Sequence, residues 1–222
     1  MYHMTKIQDF INTKMEALQA HESIVEAQNI FLDFDYSHFP ILDQNVFIGS
    51  IGKEEAEIFP ASDTISTHKY GLHRFFVRET MNWFDVFEEF SKNNTTILPV
   101  LDVNNTYVGF YELDDVLHFL NETTFIKENG GILSIEKNSN DFTFSQICQI
   151  VESNHAQILG VFVSQTTEET TQITLKITEV NFNEIIQTFR RYNYTVLSEH
   201  HEDSYLNSLK ERSDYLDKYL NI

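Results

Sequence analysis

With 222 residues, 41% of them hydrophobic and 19 of them Phe, the chain has apolar mass for one large or two modest domains. Acidic residues number 34 against 15 basic ones, a formal charge of −19, which argues against nucleic acid and anionic membrane as partners because phosphate binding needs a basic surface. The single cysteine, Cys148, excludes an intrachain disulfide and fits a reducing cytoplasm. Residues 1–18 lack the uninterrupted apolar stretch of a signal peptide, and the most apolar run, 158–163, is far too short to span a bilayer. A soluble cytoplasmic protein is expected.

Met4, Ile7, Phe10 and Ile11 have helical spacing and predict a short opening helix packed on the first repeat described below. Ser23 followed by Glu26 reads as a capping box, hydroxyl and carboxylate each satisfying an orphan amide of an amphipathic helix that buries Phe31. Phe39-Pro40-Ile41-Leu42-Asp43, a polar turn through Gln44 and Asn45, and Val46-Phe47-Ile48-Gly49 predict a strand, a reversal and a second strand. A short acidic helix follows over 53–59, stopped by Pro60. Residues 61–75 read as a linker. Its His68, Lys69, His73 and Arg74, with Arg78 just beyond, fit a solvated stretch balancing nearby acids better than a phosphate site.

The same phrase then returns. Leu98-Pro99-Val100-Leu101-Asp102 is followed by Tyr107-Val108-Gly109, with Pro40 and Pro99 59 residues apart and Gly49 and Gly109 60 apart. One residue, about Asn105, is therefore inserted in the second turn. Asn82, Asp85 and Phe90 repeat Ser23, Glu26 and Phe31 at the offset of 59, and a second acidic helix covers 112–120. A cap, its partner, a core aromatic, a proline and a turn carboxylate sharing one offset define a duplication.

This doubled pattern resembles the cystathionine-beta-synthase (CBS) domain pair, or Bateman module. The resemblance covers 1–125, with repeat one at about 14–60 and repeat two at about 76–122. It implies two units packed as a pseudo-symmetric disc with two clefts able to hold adenosyl compounds.

Past 122–129 the composition shifts, and Gly130-Gly131 marks a boundary. Residues 132–136 read as a strand, and Thr143 with Gln146 caps a helix whose apolar face is Phe144, Ile147, Cys148 and Val151. That face makes Cys148 a core thiol rather than a nucleophile. Residues 158–164 read as a buried strand, 165–171 as a polar hairpin loop, and Ile173, Leu175 and Ile177 alternate as a half-buried strand. Asn181 with Glu184 caps a helix through Ile185, Ile186 and Phe189, and Tyr194, Val196 and Ser198 form a fourth strand. Strand-helix-strand-strand-helix-strand is the ferredoxin-like βαββαβ order. That order, with 131–135 and 154–163, looks like an ACT domain over 130–200. In that family the loop before the first helix takes an effector, often an amino acid. Here that loop is Asn140-Asp141-Phe142-Thr143 and lacks the glycine that lets a backbone approach a ligand closely. Residues 202–222 read as a C-terminal helix, with Leu206, Leu209, Ser213, Leu216 and Leu220 at three-four spacing. That stripe fits a coiled-coil seam between chains or a helix lying on its own domain. The expected fold class is thus α+β, a tandem CBS pair, an ACT-like unit and a terminal helix, a layout similar to acetoin-utilisation B-type regulatory proteins.

On this resemblance the first cleft is expected to involve His38, Pro40, Gly49, Ile51 and Glu55, and the second Ile97, Pro99, Gly109, Tyr111, Glu112 and Asp115. Adenosyl-binding members carry Gly-x-x-Thr/Ser-x-x-Asp, the aspartate accepting both hydrogen bonds of the ribose diol. The second copy keeps Asp115 but puts Glu112 at the hydroxyl position; the first has Gly52 and Glu55 at these places. A lost hydroxyl costs roughly 1 kcal/mol. Two like charges about 5 Å apart repel by roughly 3 kcal/mol at an effective dielectric near 20. S-adenosylmethionine or adenosine is therefore expected over metal-free ATP, with AMP, or ATP carrying a divalent cation, as further adenosyl candidates. No cofactor is required on this reading. His200-His201-Glu202-Asp203 reads as a solvated strand end, since adjacent strand residues face opposite ways. No P-loop, nucleophile elbow, HExxH or cysteine cluster is written in the chain, so no enzyme is expected. The leading expectation is a homodimeric sensor acting on an unidentified protein target. The alternative is a ligand-free scaffold with degenerate clefts.

Overall fold

The structure is a computed structural model that describes residues 6–178 and 182–197. Met4, the Asn181 cap, Ser198, the 200–203 cluster and the 202–222 helix lie outside them. The chain divides into two compact units, Met1–Asn121 and Glu122–Ile222.

The first unit opens with a 3-10 turn, Ile7–Phe10, and then runs twice through one order of elements. The first pass is β1 (Leu18–Gln19), α1 (Ile24–Asp33), β2 (His38–Asp43), β3 (Val46–Gly52) and α2 (Lys53–Ile58). After a 3-10 segment, Ile65–Gly71, the second pass is β4 (Val77–Arg78), α3 (Trp83–Asn93), β5 (Ile97–Leu101), β6 (Tyr107–Glu112) and α4 (Leu113–Asn121). Each pass forms a three-stranded sheet, β1-β2-β3 and β4-β5-β6, with a parallel first pair and an antiparallel second pair. Both hairpins carry a bulge at matching places, where Ile48 and Val108 are the extra residues before Gly49 and Gly109. The turns differ as the insertion requires. Gln44 and Asn45 both take positive φ in a two-residue reversal, whereas Asn105 takes it alone and its Oδ1 accepts from Arg78 Nη2.

The capping box expected at Ser23 does not form. Ser23 stands at the N-cap, but its hydroxyl makes no cap bond. Backbone carbonyls do that work instead, Asp63 O accepting from Ile24 N at 2.9 Å and Ala61 O from Val25 N at 3.1 Å. In the second copy a side chain does this work, Asn82 Oδ1 accepting from Phe84 N and Asp85 N. The stretch 61–75 is correspondingly more than a solvated linker, since Ile65, Leu72 and Phe75 are buried. Its His68 is tied down, Nε2 lying 2.9 Å from Asp63 Oδ2 and the ring stacking on Phe59.

The opening turn packs on the second repeat, not the first. Ile7 joins the core of Val77, Val86, Phe90, Leu98, Val100 and Tyr111, and Phe10 meets Phe119 edge-on. The reason is an exchange of leading segments. Asn12 pairs by backbone with Phe110 in β6, while His73, which leads into the second repeat, pairs with Ser50 in β3. Glycine makes both approaches feasible. A Cβ on Gly109 would lie 2.4 Å from Asn12 O, and one on Gly49 2.9 Å from Leu72 Cβ and 3.0 Å from His73 O.

The second unit runs α5 (Thr124–Lys127), β7 (Gly131–Asn138), α6 (Phe144–Ser153), β8 (Ile158–Thr166), β9 (Thr170–Ile177), α7 (Phe182–Arg191) and β10 (Thr195–Val196). Its antiparallel sheet has the order β10-β7-β9-β8, the ferredoxin-like arrangement. Leu133, Ile135, Ile173, Leu175 and Ile177 pack against Ile147, Ile150, Ile185, Ile186 and Phe189 of the two helices. Two expectations are corrected here. The strand expected to be buried, now β8, is a sheet edge with Phe162 and Val163 exposed, because strand order leaves its far side unpaired. Phe144 is exposed and Cys148 only half-buried, because α6 turns Ile147, Ile150 and Val151 inward.

Candidate functional site

The local twofold of the first unit sets the site. Ser37 and Thr96 are equivalent residues, and each donates its backbone amide to the other's hydroxyl, at 2.9 and 2.8 Å. Their carbonyls accept the first amides of α2 and α4, Lys53 N and Leu113 N, both at 2.9 Å. Phe47 and Tyr107, another equivalent pair, stack at 6.3 Å. A strand start, a helix start and the segment borrowed from the other repeat meet at the first cleft, and the same elements meet at the equivalent position of the second repeat, here called the second cleft.

The first cleft is a cavity of about 390 Å³ lined by Ser37, His38, Gly52, Lys53, Glu54, Glu55, His73, Asn93 and Asn94. Such a volume is in the range of small-molecule pockets. Ser37 Oγ and His38 Nδ1 are 2.9 Å apart, and the ring of His38 meets that of His73 edge-on at 4.8 Å. His73 Nε2 in turn lies 3.2 Å from Glu55 Oε1. Gly52 matters here because the Glu55 carboxylate folds over it; a Cβ would lie 2.1 Å from Glu55 Oε2. Burial pushes the His38 imidazole down to about 4, His73 adds to the fall, and Glu55 opposes it. Burial is the largest influence on the Glu55 carboxyl and would raise it, but the His73 hydrogen bond, a backbone hydrogen bond and the charges of His73 and His38 together bring the net direction down. Lys53 Nζ reaches Asp35 at 3.9 Å in an exposed pair of small energetic weight.

In the second cleft, Glu112 stands where Gly52 does in the first. Its carboxylate accepts from Asn12 Nδ2 at 2.7 Å and lies close enough to the Tyr36 hydroxyl to act on it electrostatically. Burial, then the Glu112 charge, push the Tyr36 hydroxyl up to about 12. Asp115 is also raised, by burial first and then by Glu112 and Asp114, with His118 opposing. Ile97 occupies the place of His38, and Asn12 that of His73.

The expected residues thus divide. His38, Glu55, Glu112 and Asp115 belong to the polar surroundings of the two clefts. Ile51, Ile97 and Tyr111 are fully buried side chains of the cores, and Pro40 and Pro99 are buried within β2 and β5. Gly49 and Gly109 lie where the exchanged segments come closest. Sequence reasoning did not single out Ser37, Tyr36, Asn12, Asn93 or Asn94. Ser37 and Thr96 were discoverable as two hydroxyl residues at the offset of 59, whereas Asn12 carries no local signal. Among the described residues, no group of three His, Cys, Asp or Glu side chains is placed to hold a metal ion, and no helix is long and apolar enough to cross a membrane.

The doubled sheet-and-helix unit with exchanged leading segments, followed by a ferredoxin-like unit, is the α+β fold of a CBS domain pair with an ACT-like unit. Residues 72–122 match the family model of the CBS domain. Among solved structures the chain is similar to a CBS domain pair/ACT domain protein from Thermotoga maritima, at 19% identity and a TM-score of 0.48, covering 53% of this chain and 98% of that one. It is also similar to the CBS domains of a transcriptional regulator from Streptococcus pneumoniae, at 19% identity and a TM-score of 0.46, covering 52% and 99%. A third similar structure is the CBS domain of a bacterial CNNM/CorC family Mg2+ transporter in complex with ATP, at 15% identity and a TM-score of 0.43, covering 52% and 87%. Comparison with curated proteins found no match.

Proposed function

We propose that this chain is a regulatory sensor whose CBS pair binds an adenosyl ligand, S-adenosylmethionine or adenosine in preference to metal-free ATP, and that occupancy rearranges a homodimer or a protein target. The observation that carries the reading is the acidic character of both clefts. Glu55 stands in the first and Asp115 in the second at the place of a ribose-diol acceptor, and Glu112 and Asp114 add like charge beside Asp115. Such a field favours a sulfonium or a neutral nucleoside and opposes a polyphosphate unless a divalent cation accompanies it. A ligand moves the assembly only through its differential affinity for two arrangements. The layout, a CBS pair followed by an ACT-like unit, is similar to acetoin-utilisation B-type regulators and supports a regulatory role over a catalytic one.

Thermal unfolding with each compound tests this, since binding raises stability by mass action. S-adenosylmethionine and adenosine should raise Tm at millimolar concentration, ATP only with a divalent cation. Tighter binding of metal-free ATP than of S-adenosylmethionine would overturn the preference. A second reading, a ligand-free scaffold, draws support from Glu112, whose carboxylate already accepts from Asn12 Nδ2. No shift with any adenosyl compound would select it.

A further inference from the structure

The first cleft holds two imidazoles facing one another, and the second holds none at the same places. His38 faces the His73 ring at 4.8 Å and the Phe75 ring at 5.1 Å, with Ser37 Oγ on its Nδ1. The Glu55 carboxylate bonds His73, Lys53 and Glu54 also line the cavity, and the end of α3 with its C-cap contributes only uncharged Asn93 and Asn94. With both imidazoles neutral, two carboxylates outweigh one ammonium and the cavity repels an anion. With both protonated, the sign reverses.

We propose that the first cleft is a proton-linked anion site, closed to a phosphate monoester at neutral pH and admitting it, with proton uptake at the His38–His73 pair, as the medium acidifies. The inference rests on reading this cleft as the adenosyl site and adds the regulation of its occupancy. Burial of His38 and the charge of a neighbouring His73 both oppose a proton on the His38 ring, so it does not load readily without a counter-charge. An anion seated between them supplies it. By linkage, whatever raises the proton affinity of the pair is itself bound more tightly when the pair is protonated. The depression of His38 to about 4 in the free cleft, caused by burial first and His73 second, leaves a wide window below the ordinary histidine range in which ligand and proton arrive together. Ile97 and Asn12 replace the two imidazoles in the second cleft, so this response belongs to one cleft of the pair.

The test is calorimetry of the full chain with AMP, and with adenosine as the uncharged control, at about pH 7.5 and about pH 5.5, in buffers of different ionisation heat. AMP should tighten at least about tenfold on acidification with net proton uptake, while adenosine changes less than about threefold. The phosphate of AMP titrates in the same range, so the comparison that decides is with His38→Gln and His73→Gln, which should lose most of the gain. A wild-type measurement guards against a folding defect in either variant: NMR titration should show the His38 ring pKa rising when AMP or inorganic sulfate is added. Adenosine binding with no acid gain for AMP, or an equal gain in both variants, would overturn the proton linkage alone. Binding of neither compound at either pH would overturn the adenosyl reading and this inference together.

Discussion

Ser37 and Thr96 hold each other by two reciprocal amide-to-hydroxyl bonds, 2.9 and 2.8 Å long, across the local twofold that relates the repeats. Being equivalent residues, they mark where that axis passes. Ser37 Oγ also lies 3.2 Å from Thr95 Oγ1, so the junction is a small network rather than one bond. Removing either hydroxyl strands a half-buried amide, which costs about 1–3 kcal/mol. Ser37→Ala and Thr96→Val should each lower stability in urea by an amount in that range. The double variant should cost at least about 0.5 kcal/mol less than the two together, since the two hydroxyls also bond each other, Thr96 Oγ1 to Ser37 Oγ at 3.4 Å. Strict additivity would show the two hydroxyls acting independently.

Gly109→Ala should be the more damaging of the two glycine substitutions. Its new methyl would meet a backbone carbonyl, Asn12 O, at 2.4 Å, whereas that of Gly49→Ala meets its nearest atoms at 2.9 and 3.0 Å. Neither contact involves the far end of a flexible side chain, so the paired segment must shift. A loss of about 2 kcal/mol or more is expected at Gly109, with faster amide exchange at Asn12. Unchanged exchange at Asn12 would contradict the packing role assigned to this glycine.

The stability of the first unit should fall on the acid side because of His38. Its folded pKa is depressed to about 4 by burial and His73, so its contribution is present above the ordinary histidine range and is lost as pH falls toward about 4. His38→Ile, which installs the residue found at the equivalent place in the second repeat, removes that loss. The drop in Tm between about pH 7.5 and about pH 5 should be smaller in the variant than in the parent. Equal drops would place the acid sensitivity elsewhere.

Glu112→Gln should lower the titration midpoint of Asp115. The Asp115 carboxyl is raised by burial, then by Glu112, then by Asp114. A stability contribution from a raised carboxyl is present below the ordinary aspartate range and is lost as pH rises through the folded value. The substitution should therefore improve stability at neutral pH relative to acid, while the glutamine carbonyl still accepts from Asn12. Carbon-detected NMR of the Asp115 carboxyl reads the shift directly, and an unmoved midpoint would mean burial alone sets it.

The repeat was legible because its hydrophobic runs, prolines and turn residues are local and recur at one offset. Pro40 and Pro99, Gly49 and Gly109, and Phe31 and Phe90 all occupy equivalent places in the structure. The two-residue strands Leu18–Gln19 and Val77–Arg78 were missed, being too short to show a period. The pairing of Asn12 with Phe110 and of His73 with Ser50 left no local trace, and that gap put the opening turn on the wrong repeat. Glu112 adds its charge beside Asp115. Its neighbours Asn12 and Tyr36 lie 100 and 76 residues away in the chain, beyond any spacing rule.

The trading of leading segments has a bearing on ancestry and on engineering. A lone unit, without the segment that now comes from the other repeat, would leave its β3-type strand bare beside its glycine. The simplest progenitor is a self-complementary dimer in which each copy lent its first dozen residues to its mate, and gene fusion then made the loan internal. Cutting the modern chain near Pro60 should accordingly give two fragments that are each insoluble alone and that recover structure on mixing.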